Sequence, residues 1–247
     1  MKRLTSFSTP ANVVVVGASG GIGRAVCSLL ASDPGVARIH ALSRTGGIAG
    51  DDRLRPGVID IEDEASIRDA AVEIGDEAID LVFVVTGILH DGDSLGPERR
   101  MSELSPDVMR RVFAINAFGP ALVAKHFLGK LRRPGKSVFA ALSARVGSIG
   151  DNRLGGWASY RASKAALNQL IRTLSIEHAR RFPDSVVVAL HPGTVDTRLS
   201  EPFTSRTPPD KLFNPEKSAA SLLQVIDGLN ADDSGGFFAW DGTPIEF

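Results

Sequence analysis

Ala11-Asn12-Val13-Val14-Val15-Val16-Gly17-Ala18-Ser19-Gly20-Gly21-Ile22-Gly23, followed by Arg24-Ala25-Val26-Cys27-Ser28-Leu29-Leu30-Ala31, is the stretch that decides the fold. Residues 11–16 are a nearly continuous β-branched run, the pattern of a central parallel strand covered on both faces. The glycine cluster follows at once, and a helical rhythm of apolar residues follows the glycines. Strand, glycine turn and helix in that order give the cluster chemical content. Glycines permit unusual φ angles and close backbone approach, and a helix N-terminus offers unpaired N–H groups to a pyrophosphate. The stretch therefore predicts a dinucleotide-binding unit. Cys27, the only cysteine, falls in the apolar helical pattern and reads as a buried thiol.

Outward from this unit the alternation continues. Residues 36–43 read as a second strand ending at Ser43 and Arg44. Such sites commonly place an acid here for the adenosine ribose hydroxyls. A hydroxyl and a guanidinium stand in its place and suit a 2′-phosphate, so the sequence favours NADP, with NAD as the second choice. Residues 46–54 read as turn, 58–60 as a short third strand and 62–74 as a helix. Asp60 can accept from an adenine amine or cap that helix, two compatible roles. Residues 79–85 make a fourth strand, and Thr86-Gly87 opens a loop at its carboxyl end, where open parallel sheets hold ligands. The polar segment 90–100 is loop; His90 has no second ligand at suitable spacing, and no metal site is expected. A long helix runs from Ser105-Pro106 to 131. Asn116 inside it competes for backbone hydrogen bonds, and Gly119-Pro120 just beyond supports a local irregularity.

Residues 136–142 form a fifth strand that finishes at Ser143-Ala144-Arg145. A glycine-rich connection leads to Trp157-Ala158-Ser159-Tyr160-Arg161-Ala162-Ser163-Lys164, the start of a helix reaching 181 that Ser159 can cap. Tyr160 and Lys164 are four apart and project from one side of its first turns. An ammonium near a phenol favours the phenolate, which brings a proton donor and acceptor closer to neutral range. Residues 185–190 form a sixth strand, followed by His191-Pro192-Gly193-Thr194-Val195-Asp196-Thr197. Residues 198–214, with Pro202, Pro208 and Pro209, lack periodicity; a loop over the mouth of a site reads this way, and so does a plain surface loop. A last helix at 215–229 and a last strand at 236–240 complete a doubly wound α/β fold. Seven parallel strands alternate with about six helices on both faces, in one Rossmann-type domain spanning 1–247.

Composition bounds the function classes. Lys and Arg total 28 against 29 Asp and Glu, a formal net charge of −1, and no basic stripe with interleaved aromatics appears, so nucleic acid is not an expected partner. Residues 1–9 are short and polar, and the four valines are too few for a signal core or a bilayer span. A cytoplasmic protein with no membrane partner is the expectation.

With the glycine turn, Asn116, the Tyr160/Lys164 pair and Pro192-Gly193 in order, the chain resembles the short-chain dehydrogenase/reductase family over essentially its whole length. The stretches Gly147-Ser148-Ile149-Gly150-Asp151-Asn152, Gly155-Gly156-Trp157 and Phe237-Phe238-Ala239-Trp240-Asp241-Gly242 resemble its C-factor and sniffer-type carbonyl reductase branch. The resemblance implies an NADP-preferring oxidoreductase acting on a ketone, an aldehyde or the corresponding alcohol, with a catalytically weakened dinucleotide-binding signalling protein as the alternative. It also implies association into a homodimer or homotetramer. Tyr160 would exchange a proton with the substrate oxygen. Lys164 would hold the nicotinamide ribose and lower the Tyr160 pKa, and Asn116 would position a water in a relay to Lys164. Gly17, Ser19, Gly21, Ile22 and Gly23 would wrap the pyrophosphate, and Asp60 and Ile61 would contact adenine. Thr86 and Gly87 would pass the adenosine ribose, and Pro192, Gly193, Val195 and Thr197 would seat the nicotinamide end.

Two departures stand out. After strand four the family's Asn-Asn-Ala-Gly is replaced by Val84-Val85-Thr86-Gly87. At the end of strand five the serine that polarises the substrate oxygen corresponds to Ala144, which leaves Ser143 as the nominated replacement, with Ser148 and Arg145 behind it.

Overall fold

The computed structural model describes residues 4–7, 10–46, 50–92, 95–206, 208 and 211–247, with the backbone alone at 204–206. Parts of three sequence-predicted segments therefore lie outside the described residues: 47–49 of the turn, 93–94 of the loop, and 207, 209 and 210 of 198–214, Pro209 included.

The valine run forms β1 (Ala11–Val16), with Val13 and Val15 in one core and Val14 and Val16 in the other. This alternation is why a strand covered on both faces needs apolar residues at every position. Around it are β2 (Val36–Ser43), β3 (Leu54–Val58), β4 (Leu81–Val84), β5 (Ser137–Leu142), β6 (Ser185–His191) and, at the far edge, a strand at Phe237–Ala239. They form one seven-stranded sheet, all parallel, in which the chain runs outward from β1 through β2 to β3 and then from β4 outward the other way. The reversal lies between β1 and β4. It opens a crevice at the carboxyl ends of the strands.

Helix α1 (Gly21–Ala31) and a C-terminal helix at Pro215–Gly228 cover one face through Val26, Leu30, Leu222, Leu223 and Ile226. The other face carries α2 (Glu64–Glu73), α3 (Pro106–Phe113), α4 (Gly119–Phe127) and α5 (Ala158–Ala179). Ile67, Val123, Phe127, Leu167 and Ile171 fill that core. The run Pro106–Lys130 is long and apolar enough to cross a membrane by composition, with a mean hydropathy of 1.3. Here it lies against the protein and buries Val112, Ala117, Val123, Ala124 and Phe127.

Several boundaries depart from the sequence reading. The third strand ends at Val58, where 58–60 was expected to begin it, because Leu54 to Val58 pair in register with Ile39 to Ser43 of β2. It is an edge strand, which tolerates Pro56. Asp60 does not cap α2: its carboxylate accepts from Glu62 N at 3.0 Å, and Asp63 caps the helix by accepting from Ala65 N. The long helix is broken at Asn116 as expected, by a π-helical turn over Ala114–Phe118 between α3 and α4. Ser159 does not cap α5; it lies inside the first turn, and Trp157 occupies the cap position in the left-handed region at φ 53°.

Residues 198–214 are tied down at both ends. Strand β7 (Thr194–Val195) pairs in parallel with β8 (Leu212–Phe213), and a 3-10 turn at Glu201–Arg206 lies between them. Two-residue strands leave no periodicity in sequence. The C-terminal helix then becomes α6 and the edge strand β9.

Candidate active site

A cleft of about 1040 Å³ follows the carboxyl ends of the central strands. Its first wall is the glycine turn. Gly17 has φ 92°, and a Cβ there would stand 2.8 Å from the Thr86 methyl. Gly17, Ser19, Gly21 and Ile22 line the cleft. Gly23 does not; a Cβ on it would collide with the Gly17 carbonyl, so its part is to let α1 start tight against the turn. No side chain caps the α1 N-terminus and no acid stands in its first turn, which leaves its N–H groups and dipole for an anion. Arg24 Nε braces the turn by donating to Ser19 O at 2.9 Å.

Ser43, Arg44, Asp60 and Ile61 line one end of the cleft, and Pro192, Gly193, Val195 and Thr197 the other, with Thr86 and Gly87 between. Arg44 has no ion-pair partner among the described residues. Thr86 Oγ1 and His191 Nδ1 are buried without a hydrogen-bond partner among the described residues, and both residues line the cleft. A bare helix terminus, an unpaired guanidinium and an orphaned hydroxyl along one groove fit a phosphorylated dinucleotide.

Tyr160 and Lys164 meet at the centre. Lys164 Nζ donates to Leu142 O at 2.9 Å and stands 6.0 Å from the centre of the Tyr160 ring. Burial pushes the Tyr160 phenol up to about 12 and pulls the Lys164 ammonium down to about 7. The expected lowering of the Tyr160 pKa by Lys164 is therefore reversed in the cofactor-free protein. Removal from water penalises both charged forms, and a lysine that is half neutral near pH 7 offers its neighbour little charge.

Asn116 is fully buried and does not line the cleft. Its Oδ1 accepts from Ile88 N at 2.8 Å, and its Nδ2 donates to Ile88 O at 2.9 Å and to Ser163 Oγ at 3.2 Å. Ser163 in turn donates to Tyr160 O at 2.8 Å. The π turn thus pins the loop after β4 to the backbone of Tyr160, which agrees with the enrichment of such turns at functional sites.

Ser143 lines the cleft, but its hydroxyl donates to Asn168 Oδ1 at 2.7 Å, one turn of α5 beyond Lys164. Ala144 instead packs with Tyr160 and Leu89. Of the alternative donors, Ser148 is buried and does not line the cleft, its Oγ accepting from Asp151 N at 3.1 Å, and Arg145 lines the cleft with Nη1 3.5 Å from Asp151.

Sequence reasoning missed the apolar wall. Val146, Trp157, Leu199 and Phe203 pack around Leu89, Ala144 and Tyr160. The Trp157 ring is edge-on to Tyr160 at 6.3 Å and to Phe203 at 5.2 Å, and His90 meets Phe203 at 5.8 Å. Only the closeness of Trp157 to Tyr160 was visible in the chain; the rest are contacts between distant segments.

Residues 11–207 match the short chain dehydrogenase family. The chain belongs to that family. It is 33% identical over 239 residues to 1-hydroxy-2-glutathionyl-2-methyl-3-butene dehydrogenase of Rhodococcus sp. (strain AD45), covering 95% of this chain and 99% of that one. It is 40% identical over 137 residues to the C-signal of Myxococcus xanthus, covering 56% of this chain and 77% of that protein. NADPH-bound carbonyl reductase from chicken fatty liver superposes with a TM-score of 0.85 at 25% identity, covering 99% and 98% of the two chains. This short-chain dehydrogenase is an NAD(P)-dependent oxidoreductase with a likeness to the carbonyl reductases.

The buried lysine makes stability depend on pH. Between about 7 and the ordinary lysine value of 10.5 the unfolded chain binds a proton that folded Lys164 does not, so stability rises with pH in that window. Cys27, pushed up to about 12, and Tyr160 act in the opposite sense only above their ordinary values of 9.0 and 10.0. Urea unfolding of the cofactor-free protein should show stability increasing from about pH 7 to about pH 9, and Lys164→Met should flatten that rise.

Proposed function

We propose that this enzyme reduces an apolar ketone or aldehyde with NADPH, using Tyr160 as the proton donor, and runs the reverse oxidation of the alcohol at the same site. The observation that carries the reading is the packing of Tyr160 with the apolar side chains Leu89, Ala144, Val146, Trp157, Leu199 and Phe203, in the same cleft that Arg44 lines. When bound, the nicotinamide supplies or takes up the hydride. A phenol pushed up to about 12 by burial holds its proton at neutral pH, the form that gives a proton to the substrate oxygen in reduction. Lys164, now on the Leu142 carbonyl, is the residue we assign to the cofactor ribose, and Asn116 supports Tyr160 through Ser163. The aromatic wall excludes water and selects flat, apolar carbonyl compounds over polyhydroxylated ones. Association into a dimer or tetramer belongs to the same proposal, supported by the exposed apolar side chains Met109, Phe118 and Ile176 on the helical face.

The phosphate assignment rests on Arg44, and the chicken liver carbonyl reductase, which is NADPH-bound, supports it. A second reading, a dinucleotide-binding signalling protein, is favoured by Ala144 in the serine position and by the partial match to the Myxococcus C-signal. Cofactor binding without turnover would mark it.

Fluorescence titration at one ionic strength should show NADPH bound more tightly than NADH. Arg44→Ala should weaken NADPH by roughly tenfold or more, the worth of a charge-assisted contact, and leave NADH unchanged. Ala144→Ser places a hydroxyl beside Tyr160 and should raise kcat, up to on the order of 10²-fold, at unchanged NADPH affinity. Unchanged turnover in that variant would mean the substrate oxygen does not sit against residue 144.

A further inference from the structure

We propose that Glu98 is a positioning residue for Tyr160: its buried carboxylate stands in for the cap that α5 lacks and clamps the wall of the substrate pocket to the first turn of that helix. The proposal rests on the reading of Tyr160 as the proton donor. Helix starts leave backbone N–H groups without partners, and α5 supplies none from its own sequence. Trp157 in the cap position makes no side-chain hydrogen bond, no acid stands in the first turn, and Ser159 and Tyr160 are buried. Glu98, brought in from the loop between β4 and α3, fills the gap. Its Oε2 accepts from Ser159 N at 3.1 Å, its Oε1 accepts from the Ser159 hydroxyl, and its backbone carbonyl accepts from Trp157 N at 2.5 Å.

The side chain is only 4% exposed. Burying a carboxylate is costly unless it is hydrogen-bonded, and the positive end of a helix dipole is a favourable place for one. The left-handed conformation of Trp157 is rare for a bulky residue, and the bond from its N–H to Glu98 helps to hold it. In that conformation the indole reaches both Tyr160 and Phe203.

Ile88 and Glu98 are therefore both fastened to the start of α5. Ile88 is tied through Asn116 and Ser163 to the Tyr160 carbonyl, and Glu98 is tied to Ser159, one residue before it. Between the two fastenings lie Leu89 and His90, which line the cleft; a ring nitrogen of His90 is 2.7 Å from Arg198 O. Glu98 thus fixes Trp157 of the wall and the helix turn that carries the phenol as one unit. A misplaced proton donor costs rate rather than cofactor affinity, on the order of 10²-fold for about 1 Å. The dinucleotide turn at Gly17 to Gly23 makes none of these contacts.

The test compares Glu98→Ala, Glu98→Gln and Ser159→Ala with the parent. Glu98→Ala should lower kcat by about 10- to 100-fold with the NADPH dissociation constant within about twofold of the parent. Glu98→Gln retains an oxygen for the Ser159 N–H and should recover most of that loss; Ser159→Ala should cost less than Glu98→Ala and add nothing to it in the double variant. Hydrogen exchange of the amides at 158–161, which needs no substrate, should accelerate in Glu98→Ala. Unchanged exchange overturns the clamp whether or not the parent turns over a carbonyl compound. Unchanged kcat, or parallel loss of kcat and NADPH affinity in both Glu98 variants, overturns the positioning role. A parent that binds NADPH and reduces nothing, with the exchange result as expected, counts against the proposed reaction alone.

Discussion

The bond from Lys164 Nζ to the Leu142 carbonyl is the constraint around which the site is built. It carries a buried amine from the middle of a helix turn to the end of a sheet strand, and so fixes the distance between α5 and β5. Gly147 makes the approach possible, since a Cβ there would lie 2.7 Å from Lys164 Cβ. With α5 seated, Tyr160 one turn earlier is held over the crevice, and Asn168 one turn later takes up the Ser143 hydroxyl. The sheet reversal provides the crevice, and this helix decides what chemistry faces into it.

The electrostatics follow from the same burial. Both ionisable groups are driven toward their neutral forms, the phenol up to about 12 and the ammonium down to about 7. A protonated phenol beside a poorly charged lysine is a resting donor. It becomes a base only when something stabilises the phenolate, and charge brought near Lys164 by a bound phosphorylated cofactor would shift the pair. The serine position, here a methyl, contributes nothing to that balance, and in the proposed reaction polarising the oxygen falls to Tyr160.

Much of this was legible in the chain because it is local. The valine run and the glycine turn specify β1 and α1 through period and φ preference, and alternation of strands with helices implies a parallel sheet. Asn116 followed by Gly119-Pro120 announced the irregular turn. What escaped was non-local. A loop carboxylate, Glu98, displaced Ser159 from the capping role, and pairing with β2 moved the third strand back to Leu54–Val58. The two-residue ladder joining 194–195 to 212–213 has no periodic signal at all. The raised pKa of Tyr160 in the cofactor-free protein has a related origin: spacing shows that a lysine is near, whereas the cost of burial belongs to the packed whole.

The measurement that bears most directly on the account is NADPH consumption with an aryl ketone by the parent and by Tyr160→Phe, each with its NADPH affinity determined by fluorescence. Loss of general acid catalysis should lower turnover by roughly 10²- to 10⁴-fold while NADPH binding stays the same. Equal turnover by the two proteins would contradict the assignment of Tyr160 as the proton donor.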